Sequence, residues 1–341
     1  VAVVGSGPAG LAVAEELTVR GHECTVFEMW PLPGGLLLYG IPGFKLNKEL
    51  VFEKIKYLEA LGVKFVCNAH IGKTHTMDSL LAEGFDAIFL GEGATKGGVM
   101  KIPGEDLKNV YQATEYLVRG NLPDEYLPPS MRGLPHVGRK TVVIGGGDTG
   151  MDCVRTAKRL NPDGETWCVY RRTEAEMPGR AEERVHAKEE GVKFEWLTLP
   201  VRFIGDEDGC VQAAECIRMK LGAPDAKGRR TPVPIEGSNF ILECDTVVLA
   251  IGYSVDPEIA ETTPNLKTTK WGTILVATED EDPESGHTAR EEIWAAGDDV
   301  RGADLVVTAV AGARHCAEAM HHYLLRKATD TQRHREESVF I

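Results

Sequence analysis

The stretch Val1-Ala2-Val3-Val4-Gly5-Ser6-Gly7-Pro8-Ala9-Gly10 opens the chain and decides its fold. The apolar run Val1–Val4 predicts a short buried strand. Leu11, Ala14 and Leu17 share one face of a helix predicted over Pro8–Val19. Between strand and helix, Gly5, Gly7 and Gly10 occupy the three glycine positions of a dinucleotide-binding turn. The first permits the tight turn, the second lets a pyrophosphate approach the backbone, and the third lets the helix pack against the sheet. Pro8 and Ala9 begin the helix, whose free N–H groups and partial positive charge favour phosphate. Gly21 ends it, Cys24–Glu28 is the next strand, and Glu28 stands at its end. A carboxylate there accepts hydrogen bonds from ribose hydroxyls.

The same order restarts after a Pro-rich stretch, residues 122–134, that contains Pro123, Pro128 and Pro129. Lys140–Ile144 is predicted as a strand, Thr149–Leu160 as a helix and Thr166–Tyr170 as the following strand. The turn between them, Gly145-Gly146-Gly147-Asp148-Thr149-Gly150, repeats the glycine positions. At the end of the second strand, where an NAD site carries its carboxylate, Arg171 and Arg172 stand instead. A carboxylate repels a 2′-phosphate and a guanidinium binds it through paired hydrogen bonds, so NADP(H) is expected over NAD(H). Arg180 and Arg184 follow nearby in sequence.

Four further stretches join these turns. In Pro33-Gly34-Gly35-Leu36-Leu37-Leu38-Tyr39-Gly40-Ile41-Pro42, adjacent glycines let a second length of backbone lie against a cofactor, which makes Gly35, Leu36 and Ile41 candidates. Asp86–Ala94 and Asp245–Gly252 each end a strand in small residues, with Gly91, Gly93 and Gly252 as candidates. Gly252 is expected near the nicotinamide end. In Ala295-Ala296-Gly297-Asp298 an Asp follows an apolar strand, suited to a polyol such as the ribityl chain of FAD. Leu305–Val310 then starts a helix, expected over Thr308–Arg326, and Val306 and Thr308 would lie at a flavin's pyrimidine edge. Residues 201–248 read as β-rich, with Gly222–Arg230 as a hairpin connection, and Trp271–Ala277 as a strand.

The expected fold is α/β, with two Rossmann-like dinucleotide-binding domains of the three-layer ββα kind. The NADP domain is inserted into a discontinuous FAD domain. The FAD domain is expected over residues 1–118 and 254–325, a Pro-rich linker over 119–137, the NADP domain over 138–253, and a mobile polar tail over 326–341.

A net charge of −14 disfavours a nucleic-acid surface, since a phosphate backbone would be repelled. No apolar run approaches the roughly 20 residues of a membrane-spanning helix. The 8 cysteines are scattered with no C-x-x-C and no metal-binding run, which points to buried thiols in a reducing, cytoplasmic setting and to no metal site. Val1 opens on a strand without an initiator Met, which implies sequence upstream.

The motifs resemble a known family, the small (beta) subunit of NADPH-dependent glutamate synthase. The resemblance rests on Gly5-x-Gly7-x-x-Gly10, on Gly34-Gly35-Leu36-Leu37-x-Tyr39-Gly40-Ile41-Pro42-x-Phe44-Lys45-Leu46, on Gly145-Gly146-Gly147-Asp148-Thr149, on Tyr170-Arg171-Arg172 and on Ala296-Gly297-Asp298. Leu221-Gly222-Ala223-x-Asp225-Ala226-x-Gly228-Arg229, Ile235-Glu236-Gly237-Ser238 and Lys270-Trp271-Gly272-Thr273 add to it. It covers Val1 to Leu324. Related flavoprotein subunits share these motifs, among them NADPH:ferredoxin oxidoreductases of the bifurcating type. The resemblance implies FAD, NADP(H), and an iron–sulfur-containing domain or partner subunit as electron acceptor. It also places His70 and Ile71 beside the adenine. In that family a cysteine-rich iron–sulfur domain precedes the first fingerprint. This chain starts at the fingerprint, so its electrons would leave to something outside it.

The chemistry expected is hydride transfer from NADPH to FAD, which needs positioning and electrostatics and no general acid or base. No catalytic nucleophile is therefore named, and His136, His186, His287 and His315 read as surface or packing residues. Three readings stay open: a glutamate synthase subunit, a ferredoxin oxidoreductase subunit, and a flavoprotein that binds FAD without turnover.

Overall fold

The computed structural model describes residues 1–224, 228–276 and 285–339. The chain divides into two compact units. Residues 1–38, 43–96 and 253–341 form the first, and residues 39–42 and 97–252 the second.

In the first unit, five parallel strands lie in the order Ile293–Ala295, Ile88–Leu90, Ala2–Val4, Thr25–Glu28 and Lys64–Cys67. Parallel neighbours need crossovers, and the helix Pro8–Val19, over its expected range, makes the first. Its buried face of Leu11, Ala14 and Leu17 packs with Ala313, Cys316, Ala317 and Met320 of the last helix. Small side chains on both helices let their backbones approach closely. The last helix runs over Val306–Val339, past the expected end at Arg326 and into the expected tail. Polar residues do not by themselves stop a helix. On the other face of the sheet the short helices Met77–Ala82 and Glu258–Thr262 and isolated bridges cover Phe27, Ile88 and Leu90. Of the strand expected over Trp271–Ala277, the described part makes only bridges at Ile274 and Val276, and Ala277 lies outside the described residues.

The second unit has a five-stranded parallel sheet in the order Val110–Gln112, Thr246–Leu249, Lys140–Ile144, Glu165–Tyr170 and Lys193–Trp196. An antiparallel sheet of Thr198–Gly205, Val211–Pro224, Arg230–Pro234 and Phe240–Glu243 forms a further layer. Val142, Ile144, Val169, Phe203, Val211 and Leu242 fill the apolar space of this unit. Pro224 pairs with Arg230, so the expected hairpin closes around Gly222–Arg230, although Asp225 and Ala226 of the resemblance motif lie outside the described residues.

The unit's bounds differ from the domains expected at 118, 119–137 and 138. The strand Val110–Gln112 pairs with Thr246–Leu249, and a Cβ on Gly120 would stand 3.0 Å from Thr156 of the helix Asp148–Leu160. The Pro-rich segment is bonded in as well. Arg119 Nε donates to Gly133 O at 2.9 Å, Gly133 N–H donates to Asp124 Oδ1 at 2.8 Å, and Leu127 is buried. Among the described residues, no helix is long and apolar enough to cross a membrane.

Candidate functional site

The three glycines of the first turn do different work. Gly5 has φ +91°, and a Cβ on it would stand 2.4 Å from Gly91 O. A Cβ on Gly10 would stand 2.0 Å from Gly5 O. Both are required by the chain's own packing. Among the described residues beyond its chain neighbours, Gly91 O at 3.9 Å is the only atom within 4 Å of a Cβ on Gly7. Gly7 is also the N-cap of the helix Pro8–Val19, with Pro8 in the first turn and no side chain capping the helix. Open space at an uncapped helix start is the environment a pyrophosphate needs. Gly35, with φ +48°, rests on this turn, since its Cβ would lie 2.6 Å from Gly7 Cα. The Gly34-Gly35 backbone therefore lies against the first glycine turn. Ala9 is buried in the core, whereas Leu36 is 50% exposed.

Glu28 is buried and rigidly held. Its Oε1 accepts the Trp30 N–H at 2.8 Å, and its Oε2 accepts the Ser6 N–H at 3.2 Å and the Ser6 hydroxyl. Burial pushes its carboxyl above the usual range, opposed by these hydrogen bonds. Ser6 was not among the expected site residues. The only signal for it was a small hydroxyl between the first two glycines.

Gly297 brings the closing motif to this turn. Its Cβ would meet Ala9 Cβ at 3.2 Å and Ala309 Cβ at 3.5 Å. The Asp298 carboxyl is raised to about 6 by burial, and its Oδ1 accepts the Asp304 N–H at 3.3 Å. Val306 opens the last helix half-buried, and the Thr308 hydroxyl donates to Leu305 O at 2.6 Å. Gly91 donates to Val4 O at 2.8 Å, and Gly93 donates to Asp299 Oδ2 at 3.0 Å. Ile71 is 3% exposed, in an apolar cluster with Phe27, Ala69 and Met77. Ile41 is not brought to these residues within one unit, because residues 39–42 belong to the second. The sequence reading also missed the half-buried Glu92 and the buried Asp299, whose carboxyls are both raised by desolvation. An acid inside the small-residue stretch Gly91–Ala94 and a second acid after Asp298 were the available signals.

The second turn repeats the division of labour. A Cβ on Gly145, φ +135°, would stand 2.0 Å from Ala250 O, and one on Gly150 would stand 2.6 Å from Gly145 O. Gly147 has open space and is the N-cap of the helix Asp148–Leu160, again with no side-chain cap. Gly146 lies against the ring of Tyr170, 2.7 Å from its Cβ position. Asp148 fastens a neighbouring loop: its Oδ1 accepts the Arg180 N–H at 2.9 Å and its Oδ2 pairs with Arg180 Nε at 3.3 Å. Thr149 is half-buried beside it. Arg184 Nη1 donates to Gly179 O, so Arg180 and Arg184 both have work within the protein. Gly252, φ +107°, accepts the Gly98 N–H at 2.9 Å.

The paired arginines separate. Arg172 is 6% exposed and its Nε donates to Arg230 O at 2.7 Å. Arg171 is exposed at the strand end.

All 8 cysteines are free, and burial pushes Cys24, Cys153, Cys168, Cys216, Cys244 and Cys316 above the usual thiol range. His287 stacks on Trp294 with ring centroids 4.7 Å apart, a packing role as expected.

Comparison with known proteins follows the same lines. The profile of the pyridine nucleotide-disulphide oxidoreductase family matches residues 1–313. The putative oxidoreductase AegA of Escherichia coli (strain K12) is 42% identical over 95% of this chain, which spans only 49% of that protein. The glutamate synthase [NADPH] small chain of Azospirillum brasilense is 42% identical over 96% of this chain and 67% of its own length. Among solved structures, Mycobacterium tuberculosis FprA in complex with NADPH has the same fold, with TM-score 0.78 and 20% identity over 97% of this chain and 85% of that one. The chain belongs to the pyridine nucleotide-disulphide oxidoreductase family and, within it, is similar to the small chains of NADPH-dependent glutamate synthase.

Proposed function

We propose that this chain is a FAD-dependent NADPH oxidoreductase, with FAD held by the first unit and NADPH by the second. Its electrons pass to an external iron–sulfur or flavin partner, as a glutamate synthase small subunit would deliver them to a large subunit that forms L-glutamate. The duplicated cradle carries the reading. At Gly7 and at Gly147 the turn leaves open space at an uncapped helix start, while the glycines around it are demanded by packing. FAD, when bound, accepts hydride from NADPH and releases electrons singly.

The chain's own residues bind and orient. Glu28, locked by Ser6 and Trp30, presents its remaining lone pairs to the ribose. Asp298 is the ribityl partner, and the start of the helix Val306–Val339 offers positive potential to a reduced ring. Arg171 takes the 2′-phosphate, supported by its exposure at the strand end, and Arg172, held through its Nε by Arg230 O, stands beside it in sequence. Buried thiols supply no dithiol relay, in keeping with a reducing cytoplasm. The acceptor is inferred from the similarity to glutamate synthase small chains.

Anaerobic mixing of the purified protein with NADPH tests this. The yellow flavin absorbance should bleach rapidly with NADPH and far more slowly with NADH. A protein that carries FAD but does not bleach would be a binding scaffold instead.

A further inference from the structure

Asp148 is the acid in the first turn of the helix Asp148–Leu160, directly after the open space at Gly147. The unpaired N–H groups of that turn make a positive potential, which favours an anion within reach. Asp148 is such an anion, built into the chain. Its charge has no part in the proposed chemistry, although it stands where a coenzyme phosphate would use the same potential. The helix Pro8–Val19, which starts at the other cradle, carries no acid in its first turn.

The Asp148 carboxylate is turned to Arg180. Its Oδ1 accepts the Arg180 N–H at 2.9 Å, and its Oδ2 lies 3.3 Å from Arg180 Nε. The Arg180 side chain is 58% exposed, and its Nη2 lies 3.7 Å from Glu183 Oε1. Glu183 is held in turn by Arg155 Nη1 at 2.8 Å. The loop that carries Arg180 lies along the glycine turn by its own contacts. Gly179 N–H donates to Gly146 O at 3.0 Å, and Arg184 Nη1 donates to Gly179 O. A Cβ on Gly179 would stand 3.1 Å from Gly147 C and 3.3 Å from Asp148 N, so a glycine lets the loop come this close. Met177 packs on Gly146, its Cγ 2.9 Å from a Cβ placed there. The loop therefore keeps its seat without the Asp148 charge, provided an oxygen remains to accept the Arg180 N–H.

We propose that Asp148 tempers coenzyme binding: its carboxylate occupies the positive start of the helix and neutralises Arg180, so that phosphate is held loosely and the oxidised coenzyme leaves. The inference rests on the reading of the second unit as the NADPH site. A nicotinamide coenzyme must be exchanged at every turnover, whereas a resident flavin need not be. The acid stands at the cradle read as the exchanging one and is missing from the cradle read as the resident one.

The test titrates the whole protein, as purified, with NADP⁺ and with NAD⁺, which share the pyrophosphate. Asp148→Asn removes the charge and keeps an oxygen for the Arg180 N–H. Asp148→Ser removes the charge without introducing an amide. Both variants should bind both coenzymes about fivefold tighter than the wild type at low salt. The gain should shrink at about 0.5 M salt, where a charge effect is screened. Inhibition of turnover by NADP⁺ should strengthen in parallel. A role in folding alone would loosen the turn and weaken binding. Unchanged or weaker binding by either folded variant overturns the proposal. Tightening of NADP⁺ alone also overturns it, since that would set Asp148 at the 2′-phosphate. A folded wild type that binds neither coenzyme overturns the reading of the second unit instead, and this inference falls with it.

Discussion

Ser6 Oγ donates to the Glu28 carboxylate and accepts the Gly34 N–H at 2.8 Å, so one hydroxyl joins the first glycine turn, the end of the second strand and the Gly34-Gly35 turn. Ser6→Ala removes the hydroxyl and leaves two buried partners short. Thermal or urea unfolding should show a loss of about 1–3 kcal/mol. FAD affinity, measured by titration of the apo-protein, should fall too, because Glu28 is then held by backbone N–H groups alone.

The open space at Gly7 and the crowding at Gly5 separate ligand binding from folding. Gly7→Ala, at φ −70°, should leave the melting temperature of the apo-protein nearly unchanged and abolish FAD retention. Gly5→Ala should instead destabilise the protein by about 1–3 kcal/mol, since φ +91° and a backbone oxygen both oppose a Cβ. Calorimetry of the apo-proteins beside flavin content checks the contrast. Gly7→Ala protein that purifies fully yellow would contradict the role given to Gly7.

Arg171 and Arg172 should fail in different ways. Arg171→Glu should raise KM for NADPH at least about tenfold, leave NADH almost untouched and not alter stability. Arg172→Ala strips a buried guanidinium from Arg230 O and should cost about 1–3 kcal/mol of stability, with no discrimination between the two nucleotides. Steady-state kinetics with both coenzymes, beside denaturant curves, distinguishes them.

Asp298 and His22 should give stability opposite pH dependences across the acid range. The Asp298 carboxyl, raised to about 6, holds its proton more tightly in the folded chain than in the unfolded one. Its contribution is full below about pH 4, the unfolded value, and is lost as pH rises through about 6. Asp298→Asn should flatten this limb. His22 works in the opposite sense. Burial first, then His321, lowers its affinity for a proton, and its Nε2 lies 2.7 Å from His321 Nδ1, a bond that needs one ring neutral. That stability is lost as pH falls below about 6.5, and His22→Gln should blunt the loss in melting curves recorded across pH.

Much of this was legible because local pattern and global fold agree. Gly5, Gly7 and Gly10 sit between an apolar strand and a periodic helix, and the structure places the helix over Pro8–Val19 as the periodicity predicts. The start of the second unit was not legible, because Val110–Gln112 is a three-residue strand with no alternation to announce it. The unequal burial of Arg171 and Arg172 was hidden for a different reason. An arginine pair in sequence carries no record of which guanidinium faces inward, and only the carbonyl of distant Arg230 decides it. Ser6 and Asp299 escaped notice because their hydrogen bonds join segments apart in the chain, such as Gly93 and Asp299.

The first unit draws its sheet from both ends of the chain, and this sets an order of events on the ribosome. The strand Ile88–Leu90 waits for its outer neighbour until Ile293–Ala295 is made, whereas the second unit has its last parallel strand by Leu249. A nascent chain therefore carries an exposed, wholly apolar strand edge throughout translation of the intervening segment. Stalling or premature termination in that window would release a sticky half-sheet, so chaperone dependence should be concentrated there.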